Sequence, residues 1–274
     1  TPFDMLGASR SDSTMNHDPA QPSSATQPTT GRLPEPQRST TDAASLPAVL
    51  AFDVFGTVVD WYGSIVREVS ELRLPVDPGQ FAIAWRAGYR PAMARVRSGE
   101  LGWTKIDALH RSILDEILVQ FGLGELDEAT RRHLNLAWHR LDPWPDAVEG
   151  LHRLRQGFTV CTLSNGNLSL LANMAKRAGL PWDLILSAET FRRYKPDAEA
   201  YLGVCDVFDA EPAQVMLVAA HQDDLAGARA CGLRAAYVER RFEFGPTLPK
   251  DVSPDPANDW HATDFLDLAQ QLDC

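Results

Sequence analysis

Asp53 is a carboxylate at the end of an apolar run, and that position makes it the first candidate for chemistry. Leu46-Pro-Ala-Val-Leu-Ala-Phe52 reads as a fully buried strand, and Gly56 and Thr57 supply a turn just beyond Asp53. An ionised carboxylate in such surroundings costs on the order of several kcal/mol unless partners compensate it. At the carboxyl end of a strand in an α/β sheet it stands where ligands usually bind. The plainer alternative is that its side chain only caps the turn. Four further groups carry donors or charges. Ser164-Asn165-Gly166 follows a second apolar run and offers neutral hydrogen bonds suited to an anion in a dry site, or simply a turn and helix cap. Lys195 precedes Pro196, where a lysine is ordinarily solvated, yet the chain has four lysines against 22 arginines. His221 stands before Asp223 and Asp224 at a helix start, which the helix dipole alone favours. A histidine there could act as acid or base at neutral pH, or as a neutral spacer. Arg86 and Arg90 lie four apart on one expected helical face, where like charges repel unless an anion lies between them. A solvated basic strip continuing through Arg95 and Arg97 is the alternative there.

The elements that must position these residues follow from periodicity and breakers. One strand ends at Asp53, and helices are expected near 64–73, 78–98, 104–121 and 127–139. The two prolines of Asp142-Pro-Trp-Pro-Asp146 stop that helical pattern. Strands at 158–163, 184–186, 215–218 and 235–238 then alternate with helices near 146–156, 167–178, 197–207 and 222–231. Such alternation predicts an α/β fold with a doubly wound parallel, Rossmann-like sheet and a helical segment inserted after the first strand. Residues 1–45 are rich in Ser, Thr, Pro, Gln and Asp and hold no Ile, Val, Trp or Tyr, so they are expected to be disordered.

With 274 residues and 44% hydrophobic content the ordered part can bury a large core. A formal net charge of −11 argues against nucleic acid and anionic membrane as partners. No run approaches the ~18 apolar residues of a membrane span, and the start lacks the order of a signal peptide. Cys161, Cys205, Cys231 and Cys274 show no metal-type spacing; with Cys161 and Cys205 in apolar contexts, a reduced, cytoplasmic setting is expected. Trp103, Trp138 and Trp144 are expected to pack rather than to touch a ligand.

Asp53-x-Phe55-Gly56-Thr57-Val58-Val59-Asp60 resembles the first motif of the haloacid dehalogenase superfamily. Most members are phosphatases with a second aspartate two positions after the nucleophile, which protonates the departing alcohol. Phe55 occupies that position here and cannot deliver a proton. The departure resembles the (S)-2-haloacid dehalogenase branch, where an aromatic residue stands there and halide leaves without protonation. Ser164-Asn165-Gly166, Tyr194-Lys195-Pro196-Asp197 and the stretch from Val218 to Ala228 resemble the second, third and fourth motifs, in the right order.

The resemblance implies a helical cap at 63–143 on a core of 46–62 and 144–274, and hydrolysis of short 2-haloacids to 2-hydroxy acids through an aspartyl ester. Asp53 would be the nucleophile, with Lys195 keeping it ionised and Thr57 and Asp224 positioning it and the water. Arg86 and Asn165 would take the halide. Ser164 would hold the carboxylate or the nucleophile, and the backbone amides of Val54 and Phe55 the carboxylate, while Tyr201 would support the site; Arg90 stands where other members carry an apolar residue and could add a clamp for the carboxylate. A phosphatase would carry an aspartate four positions before Asp224 to help bind magnesium; Ala220 stands there. The better-known dehalogenases have small hydroxylated residues at Ala219 and Ala220 and an asparagine at His221. Neither metal nor organic cofactor is implied; the partner is a small-molecule haloacid, and a homodimer is one assembly open to the chain. A small-molecule phosphatase and a non-catalytic binding member are the two alternatives.

Overall fold

In the computed structural model, residues 46–274 are described; the disorder expected for 1–45 concerns residues outside that range. Strand β1 (Val49–Phe52) is buried on both faces: Leu50 and Phe52 enter one hydrophobic cluster, Val49 and Ala51 the other. A strand covered on both sides must be apolar throughout, which is why this run shows no polar alternation. The remaining strands of the main sheet are β4 (Thr159–Ser164), β5 (Leu184–Ser187), β6 (Val215–Ala219), β7 (Arg234–Val238) and β8 (Trp260–Ala262). All pair in parallel, in the order β5-β4-β1-β6-β7-β8. The chain builds outward from β1 in both directions, so the switch point of the sheet, where ligand crevices open, lies at the carboxyl end of β1.

Between β1 and β4 the chain leaves the sheet through a small antiparallel ribbon, β2 (Val59–Asp60) against β3 (Asp142–Pro143). The inserted helices are α1 (Trp61–Glu71), α2 (Pro78–Ala87), α3 (Tyr89–Arg97), α4 (Ile106–Gln120) and α5 (Glu128–Asn135), closed by a 3₁₀ turn at Leu136–Arg140. The Asp60 side chain caps α1 by accepting from the Gly63 amide at 2.8 Å, and Asp77 caps α2 from Gln80 at 2.7 Å with Pro78 at the first helical position. The single helix expected over 78–98 is two, divided at Gly88. Pro91 has no N–H for the Ala87 carbonyl, so the ladder breaks there. Ile113 of α4 packs against the bare Gly88 backbone, 2.4 Å from where a Cβ would stand.

Helices α6 (Ala147–Gly157), α7 (Leu168–Ala178), α8 (Ala188–Phe191), α9 (Ala198–Phe208), α10 (Gln222–Ala230) and α11 (Phe265–Gln271) complete the layers. Strand β8 and helix α11 were not read from the sequence; β8 is three residues long and emerges from a polar stretch. The tryptophans serve packing: Trp138 is buried, Trp103 tilts against Tyr194, and Trp144 donates to the Gly56 carbonyl at 3.0 Å. All four cysteines are unpaired, and burial pushes the Cys161 thiol up to about 12, which keeps it inert. Among the described residues no helix is long and apolar enough to cross a membrane.

Candidate active site

Asp53 follows β1 directly and is almost fully buried. Its Oδ1 accepts from Lys195 Nζ at 2.9 Å, and its Oδ2 accepts from Thr57 Oγ1 at 2.7 Å and lies 3.0 Å from His221 Nδ1. Thr57 is fixed in turn by the Ala220 amide, which donates to its hydroxyl at 2.9 Å. Lys195 reaches in from the loop before α9 and also donates to Asp224 Oδ2 at 2.5 Å; Tyr201 of α9 donates to Asp224 Oδ1 at 2.7 Å. The carboxyl ends of β1 and β6 and the starts of α9 and α10 thus converge on one buried ion network.

The electrostatics follow from that geometry. Burial alone would raise the Asp53 carboxyl, but Lys195 and His221 outweigh it and hold the group well below the usual carboxylate range. Burial likewise opposes charge on Lys195, and the Asp224 and Asp53 carboxylates overcome it and raise the ammonium. Burial and the neighbouring Asp53 charge raise Asp224, against the pull of Lys195. Asp53 is therefore held ionised within the network.

A cavity of about 370 Å³ opens over Asp53. Phe55, Arg86, Tyr89, Asn165, Tyr201 and His221 contribute to its wall, with Arg90 and Asp223 among the others. The Phe55 ring stands edge-on to Tyr89, His110 and Trp138 at 5.9–6.4 Å, so an aromatic wall occupies the place of an acid. Burial pushes His110 down to about 3, so it is neutral in that wall. The Arg86 guanidinium lies over the Tyr89 ring at 4.2 Å and near Trp61 at 5.5 Å, and its buried Nη1 has no partner among the described residues. Arg86 lines the cavity, and a permanent cation with a spare N–H there is a place for an anion. Asn165 Oδ1 accepts from the Lys195 amide at 2.8 Å, which leaves the N–H groups as what Asn165 can offer the cavity.

Two expected site residues sit differently. Ser164 is fully buried behind the cavity wall, and its hydroxyl accepts from the Gly166 amide at 3.0 Å; it shapes the turn that carries Asn165. Arg90 does not share a helix face with Arg86, because the chain divides at Gly88; it is exposed and pairs with Asp223 at 2.6 Å across the cavity mouth. Val54 is buried as well, so only its backbone is available to a ligand.

Glu243 was not read from the sequence. Its carboxylate is completely buried in the turn after β7, with Oε1 2.8 Å from His221 Nε2 and accepting from Trp61 Nε1 at 3.2 Å. Lys250 donates to Oε2 at 2.7 Å and also to the Ala220 carbonyl. Arg240 anchors the same turn by donating to the Thr57 carbonyl at 2.8 Å and to both oxygens of Asp146. Burial disfavours the ionised Glu243, but His221 and Lys250 more than compensate and bring it down to about 2. Burial also works against charge on His221, and Glu243 and Asp53 overcome it, raising the imidazole to about 9. At neutral pH His221 therefore carries both protons and donates one to each carboxylate. The only sequence signal for Glu243 is an acid between Phe242 and Phe244 beyond the last long apolar strand.

A parallel α/β sheet with a helical cap inserted after its first strand and an ionised aspartate at the switch point defines a class of capped α/β enzymes. Comparison with known proteins gives the family. The sequence profile of the haloacid dehalogenase-like hydrolases matches residues 47–232. The (S)-2-haloacid dehalogenase 1 of Pseudomonas sp. (strain CBS-3) is 30% identical over 211 residues, 71% of this chain and 88% of that protein. The L-2-haloacid dehalogenase PA0810 superposes with a TM-score of 0.79 at 44% identity, over 83% of this chain and 100% of that one. A defluorinating L-2-haloacid dehalogenase superposes with a TM-score of 0.79 at 43% identity, over 84% and 96%. The chain belongs to the haloacid dehalogenase-like hydrolases.

Proposed function

We propose that this protein hydrolyses short (S)-2-haloacids to 2-hydroxy acids and halide, with residues 63–143 as the cap over a core of 46–62 and 144–274. The observation that carries this reading is the pairing of a buried, ionised Asp53 with Phe55, where a phosphatase needs an acid, under a cavity with an unpartnered Arg86 N–H. The substrate carboxylate meets the backbone amides of Val54 and Phe55 and the Arg90 guanidinium, the last by exchange with Asp223. Asp53 attacks the halogen-bearing carbon from the rear; the carbon–halogen bond breaks as the ester bond forms. Halide needs no proton, so Phe55 suffices. Arg86 and Asn165 take the growing negative charge, where preorganised donors act most strongly. Water then attacks the ester carbonyl, freeing the 2-hydroxy acid with inverted configuration. Thr57 and Tyr201 keep Asp53 and Asp224 in place, and Lys195 balances both carboxylates. The same reading takes the chain as a cytoplasmic protein acting on a small molecule without organic cofactor.

Halide release from 2-chloropropionate, chloroacetate and fluoroacetate, beside phosphate release from an ester panel with and without Mg²⁺, tests the reading. Halide should be released from at least one haloacid, with no phosphate above background. Phosphate release without halide release overturns it in favour of a phosphatase, and neither product would leave a binding protein.

A further inference from the structure

We propose that Glu243 is the positioning residue of a relay, Asp53–His221–Glu243, in which His221 is the base that activates water against the Asp53 ester. The inference rests on the ester route of the proposed function and concerns its second step.

The two ring nitrogens of His221 lie 3.0 Å from Asp53 Oδ2 and 2.8 Å from Glu243 Oε1, and both partners are carboxylates that only accept. In the resting enzyme His221 is therefore an imidazolium bridging two anions, and an imidazolium cannot take a proton. Alkylation of Asp53 turns one of those anions into a neutral ester. Its partner Glu243 remains charged, fully buried and fixed by Lys250 and Trp61. With one anion gone, the affinity for the second proton falls from the resting value of about 9. The proton is lost from Nδ1, because Nε2–H still has its acceptor, and the free lone pair is then on the side of the Asp53 carboxyl, whose Oδ2 lies 3.0 Å away. The nucleophile thus switches on its own base once it has been consumed.

The protons balance. The Nδ1 proton passes to solvent after halide has left. Water adds to the ester carbonyl as Nδ1 takes its proton, giving a tetrahedral adduct and imidazolium. The adduct expels the 2-hydroxy acid alkoxide, which takes that proton, and leaves Asp53 protonated. Asp53 passes its proton to Nδ1, restoring the resting pair. The net result is one halide, one hydroxy acid and one proton released, with one water consumed.

The charged groups around His221 all enter its titration. Asp53 faces it from the end of β1, Lys195 from the loop before α9, Glu243 and Lys250 from beyond β7, and Asp223 and Asp224 from its own helix. Arg86 and Arg90 face it across the cavity, as do the phenols of Tyr89 and Tyr201.

The test is rapid-quench kinetics on the full-length protein with 2-chloropropionate, or whichever haloacid the wild type turns over. Glu243→Gln should keep a burst of about one halide per site, accumulate an ester on the Asp53 peptide by mass spectrometry, and slow ester hydrolysis by roughly 10²-fold or more, as loss of the group orienting a catalytic histidine does. Its residual hydrolysis should titrate at lower pH than wild type. Lys250→Met, which strengthens the field of Glu243 instead, should move the same titration to higher pH and reports independently should Glu243→Gln not fold. Equal loss of burst and turnover in Glu243→Gln, or unshifted profiles in whichever variants fold, would overturn the relay. Wild type that releases halide without an Asp53 ester would instead overturn the ester route beneath it.

Discussion

At the scale of single residues, the site is a buried network in which Lys195 and His221 hold Asp53 and are themselves anchored by Asp224 and Glu243. Arg86→Ala removes a charge whose hold strengthens as halide departs, so kcat should fall by about 10²-fold or more, read by steady-state halide release. Arg90→Ala should mainly raise KM, as loss of ground-state carboxylate binding does. Asp223→Asn should lower KM, because Arg90 is no longer engaged across the cavity mouth. Exchanged effects of the two arginine variants would reverse their assignments. Titration gives a second check. The folded-state pKa of His221 is raised to about 9, so its contribution to stability is fully present below about 6.5 and lost as pH rises through 9. The unfolding free energy of wild type minus His221→Gln should shrink between pH 6.5 and 9.5; a constant difference would mean that His221 is not held as an imidazolium. Asp53, Asn165, Lys195, His221 and Asp224 were legible in the sequence because each follows an apolar strand or lies at the start of a helix, and those positions converge at the carboxyl ends of the strands. Glu243, Lys250 and Arg240 were not legible, because they sit in a turn whose only purpose emerges when it folds back on Thr57 and Ala220.

At the scale of elements, the turn after β1 is what lets Glu243 approach. Gly56 adopts φ +84°, and a Cβ there would stand 2.2 Å from Glu243 Oε1. Gly56→Ala should destabilise the fold by roughly 1–3 kcal/mol from backbone strain and should also lower turnover by displacing the partner of His221. Denaturant unfolding and halide release check the two parts; an unchanged midpoint with full activity would show that the turn tolerates a side chain. Most strands were readable because both faces of β1, β4 and β6 are covered and the runs are continuously apolar. The division of 78–98 into α2 and α3 was not, since helix periodicity continues through Gly88 while Pro91 and the contact with Ile113 decide the break. Strand β8 was hidden because its pairing with β7, not its composition, makes it a strand.

At the scale of the whole molecule, the inserted helices and the carboxyl ends of the strands together line one cavity of about 370 Å³ over the switch point of the sheet. Lys195 bridges Asp53 and Asp224, the two carboxylates that a divalent cation would otherwise share, and Ala220 removes a further oxygen ligand. Halide release should therefore survive EDTA and gain nothing from Mg²⁺; loss on chelation with recovery on Mg²⁺ would return the phosphatase reading. The central claim is that Asp53 itself, rather than water, attacks the substrate, and the source of the product oxygen decides it. Hydrolysis of an Asp53 ester cleaves the acyl–oxygen bond, so the product leaves with an oxygen that belonged to Asp53 while water refills the carboxylate. With enzyme in excess over haloacid in ¹⁸O-water, the hydroxyl of the first-turnover product should be mostly unlabelled and the peptide containing Asp53 should gain the heavy oxygen. A labelled hydroxyl with an unlabelled Asp53 peptide would contradict covalent attack and make Asp53 a general base.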